Sequence, residues 1–279
     1  MTEREKYLFD LQGFLIIRDF LTNDEVATLN EAVDANIEKQ SDDDNSVTGD
    51  SKSLVGQFKR GALGGMLTWP QPWCTPFREM LTHKKAIPYL NEIHGRGWRM
   101  DHSPFILTSK TGAEGLLLHG STAHHFDGSQ YYTFANDQMR CGMVVFEYQL
   151  YDQNEGDGGF CAIAGSHKAN LRAPQELLEW DFDRDVVSCP EMKAGDLMIF
   201  NEATTHGNLP WTSKNDRRAL LYRYSPKYLH FAGGEYQPVM PEWTKELTDA
   251  QRAVLEPPYI YNRPLIEDDG VTVVNPRRE

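Results

Sequence analysis

"AGDLMIFNEATTHGNLPWTSKNDRRALLYRYSP", residues 194–226, decides how the rest of the chain is read. A Gly-Asp turn leads into an apolar run at 197–200, and a second β-type run follows at 218–225. A loop carrying His-Gly joins them, and both runs read as strands. His206 stands in the connection, and Arg217 opens the second run eleven positions later. Side chains alternate along a strand, so Arg217 and Arg218 face opposite sides, and the pattern alone does not say which faces inward.

The same texture extends upstream. From about residue 98, short apolar runs follow one another: FILTS (105–109), GLLLH (115–119), CGMVVFEYQLYD (141–152), GFCAIAG (159–165) and VVSCPEM (186–192). Gly- and Asp-rich turns such as NEGDGG and KAGD separate them. Many short strands without long helices predict a mostly β fold, a sandwich or barrel of jelly-roll type. Residues 4–18 read as a helix and then a strand. Thr22 with Glu25 forms a capping box ahead of Val26, Leu29, Ala32, Val33 and Ile37 at helical spacing. Residues 39–53 are polar and acidic and read as a loop. Helical pieces are expected near 84–94 and 174–180. The expectation is a single domain over 1–279: helices over about 1–95, a jelly-roll core over about 96–230 and a Pro-rich wrap over about 231–279.

Acids outnumber bases by 41 to 28, a formal charge of −13, which argues against nucleic acid or an anionic membrane as partner. A small-molecule substrate is the expected partner, and oligomeric state is not readable. The four cysteines (Cys74, Cys141, Cys161, Cys189) form no CxxC pair, which argues against a zinc ribbon or a dense disulfide framework. No apolar run approaches the roughly 18 residues that a membrane span requires. A cytoplasmic setting follows as the expectation.

The chemistry concentrates in LLLHGSTAHHFDGSQYY, residues 116–132. His125 and Asp127 form an H-x-D pair, and on extended backbone positions i and i+2 point the same way. An imidazole and a carboxylate so placed, with a distant histidine such as His206, make the 2-His-1-carboxylate face that suits Fe(II) and leaves positions open. An arginine such as Arg217 can grip a carboxylate of a molecule reaching that metal.

Order and spacing together resemble the phytanoyl-CoA dioxygenase family of Fe(II)- and 2-oxoglutarate-dependent oxygenases. The likeness begins at YLFDLQGFLIIRDFLTNDEVATLNEAVD (7–34) and runs through the H-x-D region. It continues in GDGGFCAIAGSHKAN (156–170) and ends at GDLMIFNEATTHGN with the later RRAL. The resemblance implies a double-stranded β-helix, a jelly roll of cupin-like form, using Fe(II), 2-oxoglutarate and O2. By position it makes His206 the distal iron histidine, favours Arg217 over Arg218 for the cosubstrate carboxylate, and sets Tyr148 against the cosubstrate pocket. Asn208 replaces a serine common in the family, and His167 matches a recurrent histidine whose expected role is structural.

The first histidine stays open. The approach GLLLH resembles that to the first iron ligand in relatives, which would choose His119, yet two positions on stands Ser121 rather than an acid. Three arrangements follow: His125–Asp127–His206, His119–Asp127–His206, and His119 with His206 lacking a carboxylate, as in Fe(II) halogenases. Tyr131, Tyr132 and Arg60 are candidate substrate contacts, with Phe134, Trp69, Trp73 and Lys59 nearby in sequence. The implied reaction oxidises, by default hydroxylates, a C–H bond and releases succinate and CO2. The alternative is a cupin-like isomerase or hydrolase using another metal.

Overall fold

The structure, a computed structural model, describes residues 1–44, 47–120, 127–231 and 239–276. Its strands in chain order begin with β1 (Phe14–Ile17), β2 (Ser41–Asp42), β3 (Gly61–Leu63), β4 (Arg99–Met100), β5 (Phe105–Ser109) and β6 (Leu116–His119). Then come β7 (Tyr132–Ala135), β8 (Gln138–Cys141), β9 (Val144–Gln149) and β10 (Gly159–Ala162). The last strands used here are β11 (Leu197–Asn201), β12 (His206–Leu209) and β13 (Arg217–Ser225).

A large antiparallel sheet runs β1-β11-β9-β13-β5-β3-β2, with β4 also paired to β13. A smaller antiparallel sheet runs β10-β12-β6. Neighbours that are distant in sequence mean crossovers between the layers, the pattern expected of a jelly roll. The large sheet takes β1, β2 and β3 from before residue 96, and β2 lies within the acidic stretch read as a loop.

Alternation along the central strands separates two cores. On one face of β9 and β13, Phe146, Tyr148, Leu220, Tyr222 and Tyr224 pack against helices. These helices include α1 (Glu3–Gln12), α2 (Asn23–Asp34), α3 (Thr75–Met80) and α4 (Ile87–His94). On the other face, Leu107, Val145, Ala219 and Leu221 meet Phe160 and Ala162 of the small sheet. This inner layer is the jelly-roll interior, and the functional side chains grow from its rim and floor. Helix α2 begins where its sequence signals it: the Thr22 side chain accepts from the Glu25 backbone N–H, and Glu25 accepts from the Thr22 N–H in return.

Two expectations differ in detail. The run 186–192 forms only isolated bridges, Ala162 to Ser188 and Gln153 to Met192. Pro190 lies between them and offers no N–H to a ladder. The chain also forms a β7–β8 hairpin whose turn residues Asn136 and Asp137 have positive φ of 53° and 58°, a conformation these residue types tolerate.

Candidate metal and cosubstrate site

His206 begins β12 and lies directly across from His119, the last residue of β6. Their ring centroids are 4.3 Å apart. Each ring is turned by its own backbone. His119 Nδ1 lies 3.0 Å from the Leu117 carbonyl, and His206 Nδ1 lies 2.7 Å from the Thr204 carbonyl. A carbonyl only accepts, so both Nδ1 atoms are donors and both Nε2 lone pairs are free to hold a metal. Phe200 and Phe160 flank the His206 ring. Burial, and after it the neighbouring His119, bring the pKa of His206 down to about 4, which keeps it neutral at pH 7.

The third member of this group was not anticipated from the sequence. Glu202 projects from the turn between β11 and β12, its Oε2 3.8 Å from His206 Nε2. Ligand atoms of His119, Glu202 and His206 all lie within 4.8 Å of one another. The turn is held by Asn201, whose side-chain oxygen accepts from the Ala203 N–H and whose carbonyl accepts from the Thr204 N–H. Burial would raise the Glu202 pKa, but His206, Arg223 and His119 outweigh it and hold the carboxyl below its ordinary value. The only signal in sequence is the E-x-x-x-H spacing beside an inward-facing strand end. Two imidazoles and a buried carboxylate form a donor set suited to Fe(II).

Arg217 lies on the inner face of β13, in line with Ala219, Leu221 and Arg223. It is 1% exposed, and its Nη2 donates to Glu147 Oε1 at 2.8 Å. Its Nε and Nη1 have no hydrogen-bond partner. Arg218 faces the opposite way and donates to Asn30 and Asp34 at α2. Register thus turns Arg217 inward and Arg218 outward. Arg60 is also buried, donates to Asp43 at 2.7 Å and leaves Nε and Nη1 without a partner. Buried guanidinium donors left unpaired are costly, and a carboxylate from a dicarboxylate ligand would satisfy them. Room exists beside Arg217 because residue 159 is glycine: a Cβ there would stand 2.9 Å from Arg217 Nε. The residues present thus fit both iron and 2-oxoglutarate.

Other expected positions fall elsewhere. His125 lies outside the described residues. Asp127 stands apart from the His119 group, and its Oδ1 accepts from the Ser129 N–H at 2.7 Å and the Ser129 hydroxyl at 2.6 Å. Tyr148 does not line the jelly-roll interior. It is one residue out of phase with Glu147 and Gln149 and points into the helix-packed core beside Phe20 and Tyr222. Tyr131 bonds to Tyr228 at 2.7 Å, and Tyr132 bonds to Asp10 and packs on His167. Neither tyrosine lines the cavity above His119, whereas Arg60 does. His167 Nε2 lies 3.0 Å from the Asp10 carbonyl and ties the turn after β10 to α1, a structural role.

That cavity, of about 1100 Å³, opens over His119 and Glu202 and is lined also by Phe105, Met143, Arg223 and Trp243. No helix among the described residues is long and apolar enough to cross a membrane.

Comparison with known proteins agrees with this geometry. No curated protein matches the sequence. HygX from Streptomyces hygroscopicus, crystallised with nickel, 2-oxoglutarate and hygromycin B bound, superposes with a TM-score of 0.64 at 21% identity, over 82% of this chain and 89% of that one. The carbocyclase SnoK from nogalamycin biosynthesis gives 0.58 at 15% identity, over 82% and 85%. The epimerase SnoN from the same biosynthesis gives 0.56 at 17%, over 86% and 89%. At these identities the likeness speaks for the fold, a cupin-like jelly roll. The sequence itself matches the profile of the phytanoyl-CoA dioxygenase (PhyH) family over residues 9–219, most of its length. The chain therefore belongs to the phytanoyl-CoA dioxygenase family and is an iron- and 2-oxoglutarate-dependent enzyme of dioxygenase type.

Proposed function

We propose that this enzyme oxidises, by hydroxylation, an unactivated C–H bond of a small organic substrate seated in the cavity above His119, with release of succinate and CO2. In this reading His119 and His206 hold the iron, and Arg217 takes the distal carboxylate of 2-oxoglutarate. The observation that carries it is the facing pair of imidazoles, each oriented through Nδ1 by a backbone carbonyl, with His119 lining a large cavity. Bound iron with 2-oxoglutarate supplies the oxidising power; the protein supplies position.

The chain's own contributions follow from the geometry. His119 and His206 are set before binding because their strands pair directly, so little ordering remains when metal arrives. Arg217, with Glu147 fixing one nitrogen, offers its remaining donors to a planar carboxylate. The apolar inner layer of Leu107, Ala219 and Leu221 excludes water between that arginine and the metal end.

A cavity of about 1100 Å³ lies just above the about 300–1,000 Å³ typical of drug-sized ligands. The bound hygromycin B of HygX and the nogalamycin RO of SnoN show that neighbours of this fold accept ligands of such size. The four cysteines are free thiols, in keeping with the cytoplasmic setting assumed here. Because SnoK and SnoN are a carbocyclase and an epimerase, product analysis is part of the test. Enzyme with Fe(II), 2-oxoglutarate and O2 should release succinate, His206→Ala should not, and an accepted substrate should gain one oxygen atom by mass spectrometry. Turnover without 2-oxoglutarate consumption would contradict the proposal.

A further inference from the structure

Glu202 is 6% exposed and turns its carboxylate to the cavity above His119. The nearest nitrogens are Arg223 Nε, 3.5 Å from Oε1, and His206 Nε2, 3.8 Å from Oε2. Both distances exceed the about 2.7–3.2 Å of an N–H···O bond. Both oxygens are therefore free of a direct bond to these two groups and open to a cation at the cavity floor.

Three further observations converge. The residue two positions after His119 is Ser121, so the H-x-D pattern is broken at the histidine that faces His206. The described acid that follows, Asp127, has its Oδ1 engaged by Ser129 and is not part of the group formed with His119 and His206. The turn carrying Glu202 is fixed by Asn201, which is fully buried, so Glu202 and His206 are presented together by one rigid connection.

We propose that Glu202 is the carboxylate ligand of the iron, so that the metal is held by His119, Glu202 and His206. An E-x-x-x-H pair on the β11–β12 turn then takes the place of the H-x-D acid. Arg223 faces Oε1 and leaves Oε2 toward His206. The assignment rests on the iron reading above, and its test separates the two.

Co(II) serves as the probe, titrated anaerobically into the metal-free full chain and followed by calorimetry and by its visible ligand-field absorption. Glu202→Gln, nearly the same shape, should weaken Co(II) binding about 100-fold or more. Asp127→Asn should leave it within about threefold of wild type. Glu202→Ala should lose binding and recover part of it on addition of formate, which a purely structural role for Glu202 would not produce. The assignment is overturned if Glu202→Gln binds Co(II) like wild type, or if formate restores nothing to a folded Glu202→Ala. Failure of the wild-type protein itself to bind Co(II) would overturn the iron reading and this assignment with it.

Discussion

At the scale of single residues, the sequence singled out His206 and Arg217 by their spacing and by family likeness. The structure gives each a physical setting: a strand start facing His119, and an inward register position with unpaired guanidinium donors. His119 and His125 could not be separated in sequence, because choosing between them requires knowing which backbone segment crosses from β12. Glu202 was invisible for a different reason. An acid four positions before a histidine is common, and only a tight turn turns both inward. Arg217→Ala should weaken 2-oxoglutarate binding to the anaerobic iron enzyme about 10- to 100-fold, the scale of lost hydrogen bonds to a charged group. Arg217→Lys should fall between that variant and wild type, because an ammonium keeps the charge but not the forked geometry. Calorimetric titration with 2-oxoglutarate reads both.

At the scale of elements, apolar alternation made β5, β9, β11 and β13 legible, since each buries one or both faces in a continuous run. β12 was hidden: only His206, Gly207, Asn208 and Leu209 form it, and its pairing with β10 and β6 comes from tertiary contact rather than propensity. The junction of β6 with β12 depends on Gly120. Its φ is +129°, and a Cβ there would lie 2.4 Å from the Thr204 carbonyl oxygen. That carbonyl is the one that orients His206. Gly120→Ala should therefore cost about 1–3 kcal/mol of stability through backbone strain and should weaken metal binding as well. Thermal melting with and without Co(II) measures the two effects separately. A variant that lost stability but kept wild-type metal affinity would show that the Thr204 carbonyl is not what sets the His206 ring.

At the scale of the whole molecule, the acidic balance of −13 argues against polyanionic partners, and the cavity of about 1100 Å³ is consistent with a small-molecule ligand. Substrate identity was not legible, because Trp69 and the paired tyrosines expected at the pocket are spent on packing and hydrogen bonds elsewhere. The fold also buries histidines in the neutral form. Burial brings His94 down to about 3; burial brings His167 down to about 4, helped by Lys168, and His206 likewise to about 4, helped by His119. Each folded value lies below the ordinary value of 6.5, so the unfolded chain takes up protons first as pH falls. Stability from these groups is complete above pH 6.5 and is lost as pH falls from about 6.5 to about 4 for His167 and His206, and to about 3 for His94. Each group steepens the dependence by up to about 1.4 kcal/mol per pH unit. Urea melts of the metal-free protein at pH 7 and pH 5 should show the loss, and His167→Gln should flatten the slope.

The most direct test of the account is the visible charge-transfer absorption formed when Fe(II) and 2-oxoglutarate are added anaerobically. Wild-type protein should develop the band at stoichiometric iron, and folded His119→Ala should not. An undiminished band in His119→Ala, or no band in iron-loaded wild-type protein, would contradict the claim that His119 and His206 hold an iron that 2-oxoglutarate chelates.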